Sequence, residues 1–362
     1  MPVRNAQAYI ALSVRSLLRQ TLDDFELLII NDGSTDETLR VLQSITDHRI
    51  RLLGDDQKRG ISFRLNEGLD RANGRFIARM DADDIAAPYR LARQVEFLDR
   101  RADVDLVGTA VAYIDEEGNF AGAPREYPVE DFEIKCRLLT SNCLLHPTVM
   151  FRQRGDIFRY STDFRFAQDY ELWLRMASQK VYANLPEVLL LQRRHDDAVS
   201  FERRAEQKAF AVTALQRYAR DFAGFNLSDE VAAVLVDPAD QASSNRFLFL
   251  EAMELIMAIG LKRRETARFS DTASHDFVLQ EICFFALRGI FSSFRKVDMA
   301  ALPYLVATLG KRLFELGALT SVPGSIKRYL KTQGRFSRDG LALQKSLVEA
   351  GLQLGAAKGG DR

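Results

Sequence analysis

The 362-residue chain is 47% hydrophobic and 28% charged, and its 50 Lys plus Arg balance 50 Asp plus Glu, so no net charge draws it as a whole to nucleic acid or to an anionic surface. Three scattered cysteines, Cys136, Cys143 and Cys283, are too few for a disulfide framework or a zinc site. The N-terminus lacks the basic-then-apolar order of a signal peptide. The most apolar stretch, RFLFLEAMELIMAIGL, is interrupted by Glu251 and Glu254 and falls short of the ~18 apolar residues of a membrane span, which predicts a cytoplasmic protein.

In chain order, FELLII (25–30) reads as a strand. The turn NDGSTD follows it, then a helix over ETLRVLQSI. RIRLLGD (49–55) is a second strand, and ISFRLNEGLDRA (61–72) is a helix stopped by Asn73-Gly74. RFIARM (75–80) is a third strand, running directly into DADD. PYRLARQVEFLDRR (88–101) is a helix with proline in its first turn, and VDLVGTAVAYID (104–115) is a further strand. Such alternation predicts an α/β fold with a mostly parallel sheet covered by helices, binding its ligand beyond the carboxyl ends of the strands. NDGSTD and DADD both lie at such ends. After about residue 203 the strand signals stop and the pattern is helical. The expected division is therefore 1–204 as an α/β domain and 205–362 as an α-helical C-terminal region.

Acidic residues at three places in the chain could carry chemistry. Asp32 ends a strand before Gly33; it either shapes a strand–turn–helix or faces a ligand's base or sugar. Asp81 and Asp83, two apart, point the same way if the backbone is extended. Their repulsion is relieved by a hard divalent cation, Mg2+ or Mn2+, unless the loop is merely solvated and Asp84 caps the next helix. Asp169 opens the amphipathic helix of FAQDYELWLRMAS. There the helix dipole favours a carboxylate, whether as a cap or as a general base. Of the four histidines, His146 suits a structural hydrogen bond. His195, after an apolar strand and two arginines, is either a loop residue or a ligand for a metal or diphosphate.

Taken together and in order, PVRNAQAYIALSVRSLLRQTLDDFELLIINDGSTDET, GISFRLNEGL, ANGRFIARMDADDIAAPYRLARQVEFL, HPTVMFR, AQDYELWLR and RRHDDAVS resemble a family 2 glycosyltransferase of the GT-A fold, over roughly residues 1–204. By position, Asp32 resembles the aspartate that contacts the nucleotide base, and Asp81 the one near the ribose. Asn5 and Gly60 join this nucleotide-sugar-binding set. Asp83 resembles the metal ligand beneath the diphosphate, His195 the histidine close to metal and phosphates, and Asp169 the catalytic base. The resemblance implies inverting, Mn2+- or Mg2+-dependent transfer from a nucleotide-sugar, often UDP-linked, to a saccharide or lipid-linked acceptor in surface polysaccharide or glycolipid synthesis.

The sequence departs from the family pattern in three places. An apolar strand normally precedes P-V-x-N; here that element begins at Met1-Pro2-Val3, so the strand is expected to be absent and its neighbours' backbone groups unpaired. The usual E-D pair reads Gln168-Asp169, and the aromatic before R-x-H is Gln192. A non-catalytic nucleotide-binding or assembly subunit, and a sugar nucleotidyltransferase, stand as alternatives. No glycine-rich phosphate loop supports the latter. Finally, SIKRYLKTQGRFSR (325–338) is a basic cluster poor in apolar residues. It predicts peripheral contact with an anionic membrane, weakened by salt.

Overall fold

The run LVGTAVAYI forms β6 (Leu106–Ile114) and is buried at all nine positions, as a central strand covered on both faces must be. In the computed structural model, which describes residues 1–122, 124, 127–153, 158–195 and 201–237, β6 centres a five-stranded sheet. Its order is β4 (Phe76–Ala78), β7 (Met150–Arg152), β6, β8 (Tyr182–Arg193) and β5 (Ile85–Ala86). A second sheet is all parallel, in the order β1 (Pro2–Val3), β2 (Leu27–Asp32), β3 (Ile50–Asp55). The long ladders, β2 with β3 and β6 with β8, are parallel. The antiparallel pairings span only two or three residues each. The expected α/β class is what the chain forms, with parallel pairing in its long ladders and antiparallel pairing in three short ones. The β6–β8 register slips between Leu185 and Val188, where Pro186 has no N–H to give the ladder.

Helices α1 (Ile10–Leu18), α2 (Thr38–Gln43), α3 (Ile61–Arg71) and α4 (Arg90–Arg100) lie between the strands. They are followed by α5 (Asp131–Arg137) and α6 (Gln168–Met176). The expected strand over 75–80 contracts to Phe76–Ala78: the ladder ends there and the chain turns at Ala82-Asp83, within the acidic cluster. Helices α7 (Phe201–Tyr218) and α8 (Asp229–Val236) bury Leu215, Tyr218, Val234 and Leu235 in the same core as Trp173 of α6. The expected division at 204/205 therefore falls inside α7. Residues 238–362 lie outside the described residues, and with them most of the region expected to be helical and the basic cluster at 325–338.

The two sheets do not pair with each other. β1 covers only Ile30 and Asn31 of β2. Beyond it a cavity of about 830 Å3 opens between the β2 and β4 edges, lined by Met1, Leu27, Leu28, Ile77, Met80 and Met150 among others. The Met1 amine donates to the Leu28 carbonyl at 2.9 Å, and burial pushes its pKa down to about 5. Arg79 Nε and Arg90 Nη1, on residues that line the same cavity, are buried without a partner. The backbone groups expected to lack a neighbour are served in part by Met1, whose amine and carbonyl meet Leu28 and Ile30, and the slot beyond is lined by apolar and charged side chains alike. A five-residue apolar extension fused ahead of Met1 is expected to raise the melting temperature by ~5 °C or more, since each buried aliphatic side chain contributes roughly 1.5–3 kcal/mol. The same extension with a central aspartate serves as the control. Equal melting points for the two fusions would show that nothing enters the slot.

Candidate active site

Two loops meet at the carboxyl end of β2. Asn5, held at φ 50°, accepts from the Thr35 N–H at 2.8 Å and donates its own N–H to Ser34 Oγ at 3.2 Å. The Gln7 N–H reaches Asp36 and the Ala6 N–H reaches Thr38 Oγ1. Gly33, at φ 66°, has no room for a side chain: a Cβ there would stand 2.7 Å from the Asp56 carbonyl oxygen. NDGSTD is thus a rigid turn, and Asn5 serves it from across the β1–β2 pair.

Asp32 is buried, and its carboxylate is already engaged. Oδ1 accepts from the Arg59 N–H at 2.7 Å, the Gly60 N–H at 3.1 Å and Arg64 Nε at 3.0 Å, whereas Oδ2 takes only a share of the Gly60 N–H. One oxygen therefore retains capacity for a ligand. Gly60 sits at φ 91° before α3, a backbone angle that favours glycine. Arg64, unrecognised from sequence, is the hub: its fully buried guanidinium also pairs with Asp55 and Glu67. An arginine on the buried face of α3, between Ser62 and Leu65, was the available signal. Arg64→Met is expected to cost roughly 3 kcal/mol, because it leaves the Asp32 carboxylate buried without its cation. Urea unfolding measures this, and a loss below ~1 kcal/mol would mean solvent replaces the pair.

At DADD the structure corrects the extended reading. The backbone turns at Ala82-Asp83, so Asp81 and Asp83 find separate partners. Asp81 pairs with the buried Arg79 guanidinium, so a protein cation offsets part of the charge expected to need a metal. Asp83 Oδ2 lies 2.7 Å from His195 Nε2, and Glu116 lies 3.4 Å from His195 Nδ1. Arg193 fixes this turn: its N–H donates to Asp84 Oδ1 at 2.9 Å, its Nε to the Asp83 carbonyl at 3.1 Å, and its Nη1 to the carbonyls of Asp115 and Glu116. Its guanidinium lies over the Tyr9 ring, which in turn packs on His195. Asp84 does not cap α4. Buried near Asp81 and Asp83, its carboxyl is pushed well above the usual carboxylate range, first by burial and then by those two charges, and its Oδ2 has no partner.

Among the described residues no three His, Cys, Asp or Glu side chains converge as a metal cage. The pair of Asp83 and His195, one carboxylate and one imidazole 2.7 Å apart, nonetheless suits an ion that takes few protein ligands and fills its remaining positions with other oxygens.

Asp169 stands in the first turn of α6, as the sequence indicated. Burial pushes its pKa up, against the N–H groups of Tyr170 and Asp169 itself, the Arg79 charge and Asn142. Desolvation thus outweighs the helix N-terminus that was expected to keep the group an ordinary carboxylate. His146 is structural, as read: its buried Nε2 lies 2.8 Å from Tyr160 Oη, and burial lowers its pKa. No described helix is long and apolar enough to cross a membrane. Of the RRHDDAVS motif, residues 196–200 lie outside the described residues.

Residues 1–159 match the family model for Glycosyl transferase family 2. Among curated proteins, the chain is 35% identical to the O-antigen biosynthesis glycosyltransferase WbnJ of Escherichia coli, over 54% of this chain and 78% of that one. It is 31% identical to an uncharacterized glycosyltransferase of Haemophilus influenzae, over 57% of this chain and 68% of that one. A crystal structure of S. aureus TarS 1–349 with UDP aligns at TM-score 0.49 and 16% identity, covering 87% of this chain and 90% of that one, too remote to bear on function.

Proposed function

Because the chain belongs to glycosyltransferase family 2, we propose that it moves a sugar from a UDP-linked donor to an acceptor hydroxyl, with inversion, in the synthesis of a surface polysaccharide or glycolipid. The observation that carries this reading is Asp169: a carboxylate raised in basicity by burial, on a helix N-terminus, within electrostatic reach of the Arg79 that pairs with Asp81. As base, Asp169 takes the acceptor hydroxyl's proton. The acceptor oxygen then forms its bond to the anomeric carbon, and the sugar–diphosphate bond breaks with its electron pair leaving on the nucleoside diphosphate. Asp32, Asn5 and Gly60 order the loops around the nucleotide, with Oδ2 of Asp32 free to accept from the base, and Asp81 faces the ribose.

Asp83 and His195 would hold Mn2+ or Mg2+, whose chemistry when bound is to neutralise the leaving diphosphate. Membership of the family weighs against the nucleotidyltransferase alternative. The likeness to WbnJ, a glycosyltransferase of O-antigen biosynthesis, supports the polysaccharide reading. Hydrolysis of UDP-, GDP- and dTDP-sugars with Mn2+ tests the donor: turnover confined to one nucleotide other than UDP would overturn the UDP assignment. The basic 325–338 segment supports contact with an anionic membrane on charge alone. Flotation with anionic vesicles, lost in high salt and not seen with neutral ones, is the expected result; equal recovery on both vesicle types would exclude it.

A further inference from the structure

The loop between α5 and the short 3-10 turn at His146 is tied to α6 from both ends. Tyr170 Oη donates to the Leu138 carbonyl, and Trp173 Nε1 donates to the Leu144 carbonyl at 3.0 Å. Asn184 Nδ2, on β8, holds the Cys143 carbonyl at 3.2 Å. Asn142 sits inside this frame with both halves of its amide engaged. Its Oδ1 accepts from the Leu144 N–H at 3.2 Å, which sets the orientation of the amide, and its Nδ2 donates to Asp169 Oδ2 at 2.8 Å. No other described side chain donates a hydrogen bond to Asp169. The charged and titratable groups facing Asp169 from neighbouring segments are Arg79, just past β4, and Tyr160.

We infer that Asn142 is a positioning residue for the Asp169 carboxylate: it holds Oδ2 by a donated hydrogen bond, leaves Oδ1 as the oxygen that accepts the proton, and lowers the pH at which the base becomes ionised. The inference rests on Asp169 being the base. The physical reasoning is that a donor fixed by the backbone stabilises the ionised carboxylate more than the protonated one. Burial acts in the opposite direction, and this contact opposes it alongside the N–H groups of Tyr170 and Asp169 and the Arg79 charge. A mobile donor would not also choose the oxygen. Here the Leu144 N–H prevents the amide from turning, because a flip would set an N–H against an N–H.

The test is the titration of the Asp169 carboxyl carbon by 13C NMR in full-length protein labelled at aspartate Cγ. The resonance is assigned by its disappearance in Asp169→Asn. In Asn142→Ala the titration midpoint is expected to lie about one pH unit above the wild type's, because the donated bond is lost. In Asn142→Asp, an isosteric change that puts a second carboxylate at the same distance, it is expected to lie higher still. Asn142→Ser, which keeps a hydroxyl donor, is expected to fall between wild type and alanine. A merely structural asparagine would lower the melting temperature in these variants and leave the midpoint where it was. Coincident midpoints across the folded variants would therefore overturn the assignment. The result is separable from the base reading: Asp169→Asn with normal turnover removes the base, whereas an inactive Asp169→Asn beside unmoved midpoints removes only the role of Asn142.

Discussion

Asp169→Asn is expected to bind nucleotide-sugar as the wild type does and to lose transfer by about 10²–10⁴-fold, the usual contribution of a general base. The substitution is nearly isosteric, and its amide oxygen can still accept from Asn142 Nδ2, which donates at 2.8 Å in the wild type. The fold is therefore kept. The sign of the stability effect is a further check. Burial raises the Asp169 pKa, so the folded state favours the protonated acid. The charged carboxylate is a liability that appears as pH rises through the raised pKa and is relieved as pH falls through it. The substituted amide cannot ionise, so the variant is expected to be no less stable than wild type at neutral pH, with any advantage fading in acid. For the wild-type enzyme the same shift places the acid limb of the kcat/KM profile, which reports the free enzyme, above the ordinary carboxylate range. Donor affinity follows from a nucleotide titration, chemistry from single-turnover transfer. A variant that lost donor binding but transferred bound sugar at the normal rate would show that Asp169 serves the donor and not the acceptor.

The features legible in the sequence were those carried by short stretches. NDGSTD announced a strand end and a turn by its composition, and Asp169 announced a helix start by its place ahead of an amphipathic stripe. Both stand where the patterns put them. DADD was legible as chemistry but not as geometry. The run RFIARM reads as a strand, yet Asp81 turns back to Arg79 two residues earlier, and Asp83 meets a histidine 112 positions later. Such partners are chosen by how the sheets pack, which no local period records. Arg64 and Asn142 were hidden for a related reason. Each has an unremarkable side chain by type, and each owes its importance to being held among groups from distant segments. The slot beside β2 has no local signature in the sequence. Its dimensions, and the unpaired Arg79 and Arg90 donors at its wall, emerged only with the tertiary structure.

Asp83→Asn is expected to abolish Mn2+-supported turnover, by at least ~100-fold, while leaving the fold intact. The argument starts from the turn. Arg193 pins the Asp83 carbonyl and the Asp84 side chain, so the backbone that presents Asp83 does not depend on the Asp83 carboxylate. That carboxylate is half-buried, with His195 as its partner. Replacing it with an amide keeps a hydrogen-bonding oxygen for His195 and removes a full negative charge. A hard divalent ion is selected by charge as well as by oxygen, so affinity should fall while the melting temperature holds. His195→Gln is expected to weaken Mn2+ less, because an amide oxygen can replace an imidazole nitrogen for this class of ion. Glu116→Gln should have the smallest effect, since Glu116 lies 3.4 Å from the opposite ring nitrogen. Electron paramagnetic resonance of free Mn2+ gives the three affinities, and donor hydrolysis gives the matching rates. An Asp83→Asn protein that bound Mn2+ and turned over near the wild-type rate would place the ion elsewhere. A loss confined to the rate, with Mn2+ affinity unchanged, would assign Asp83 to the donor sugar instead.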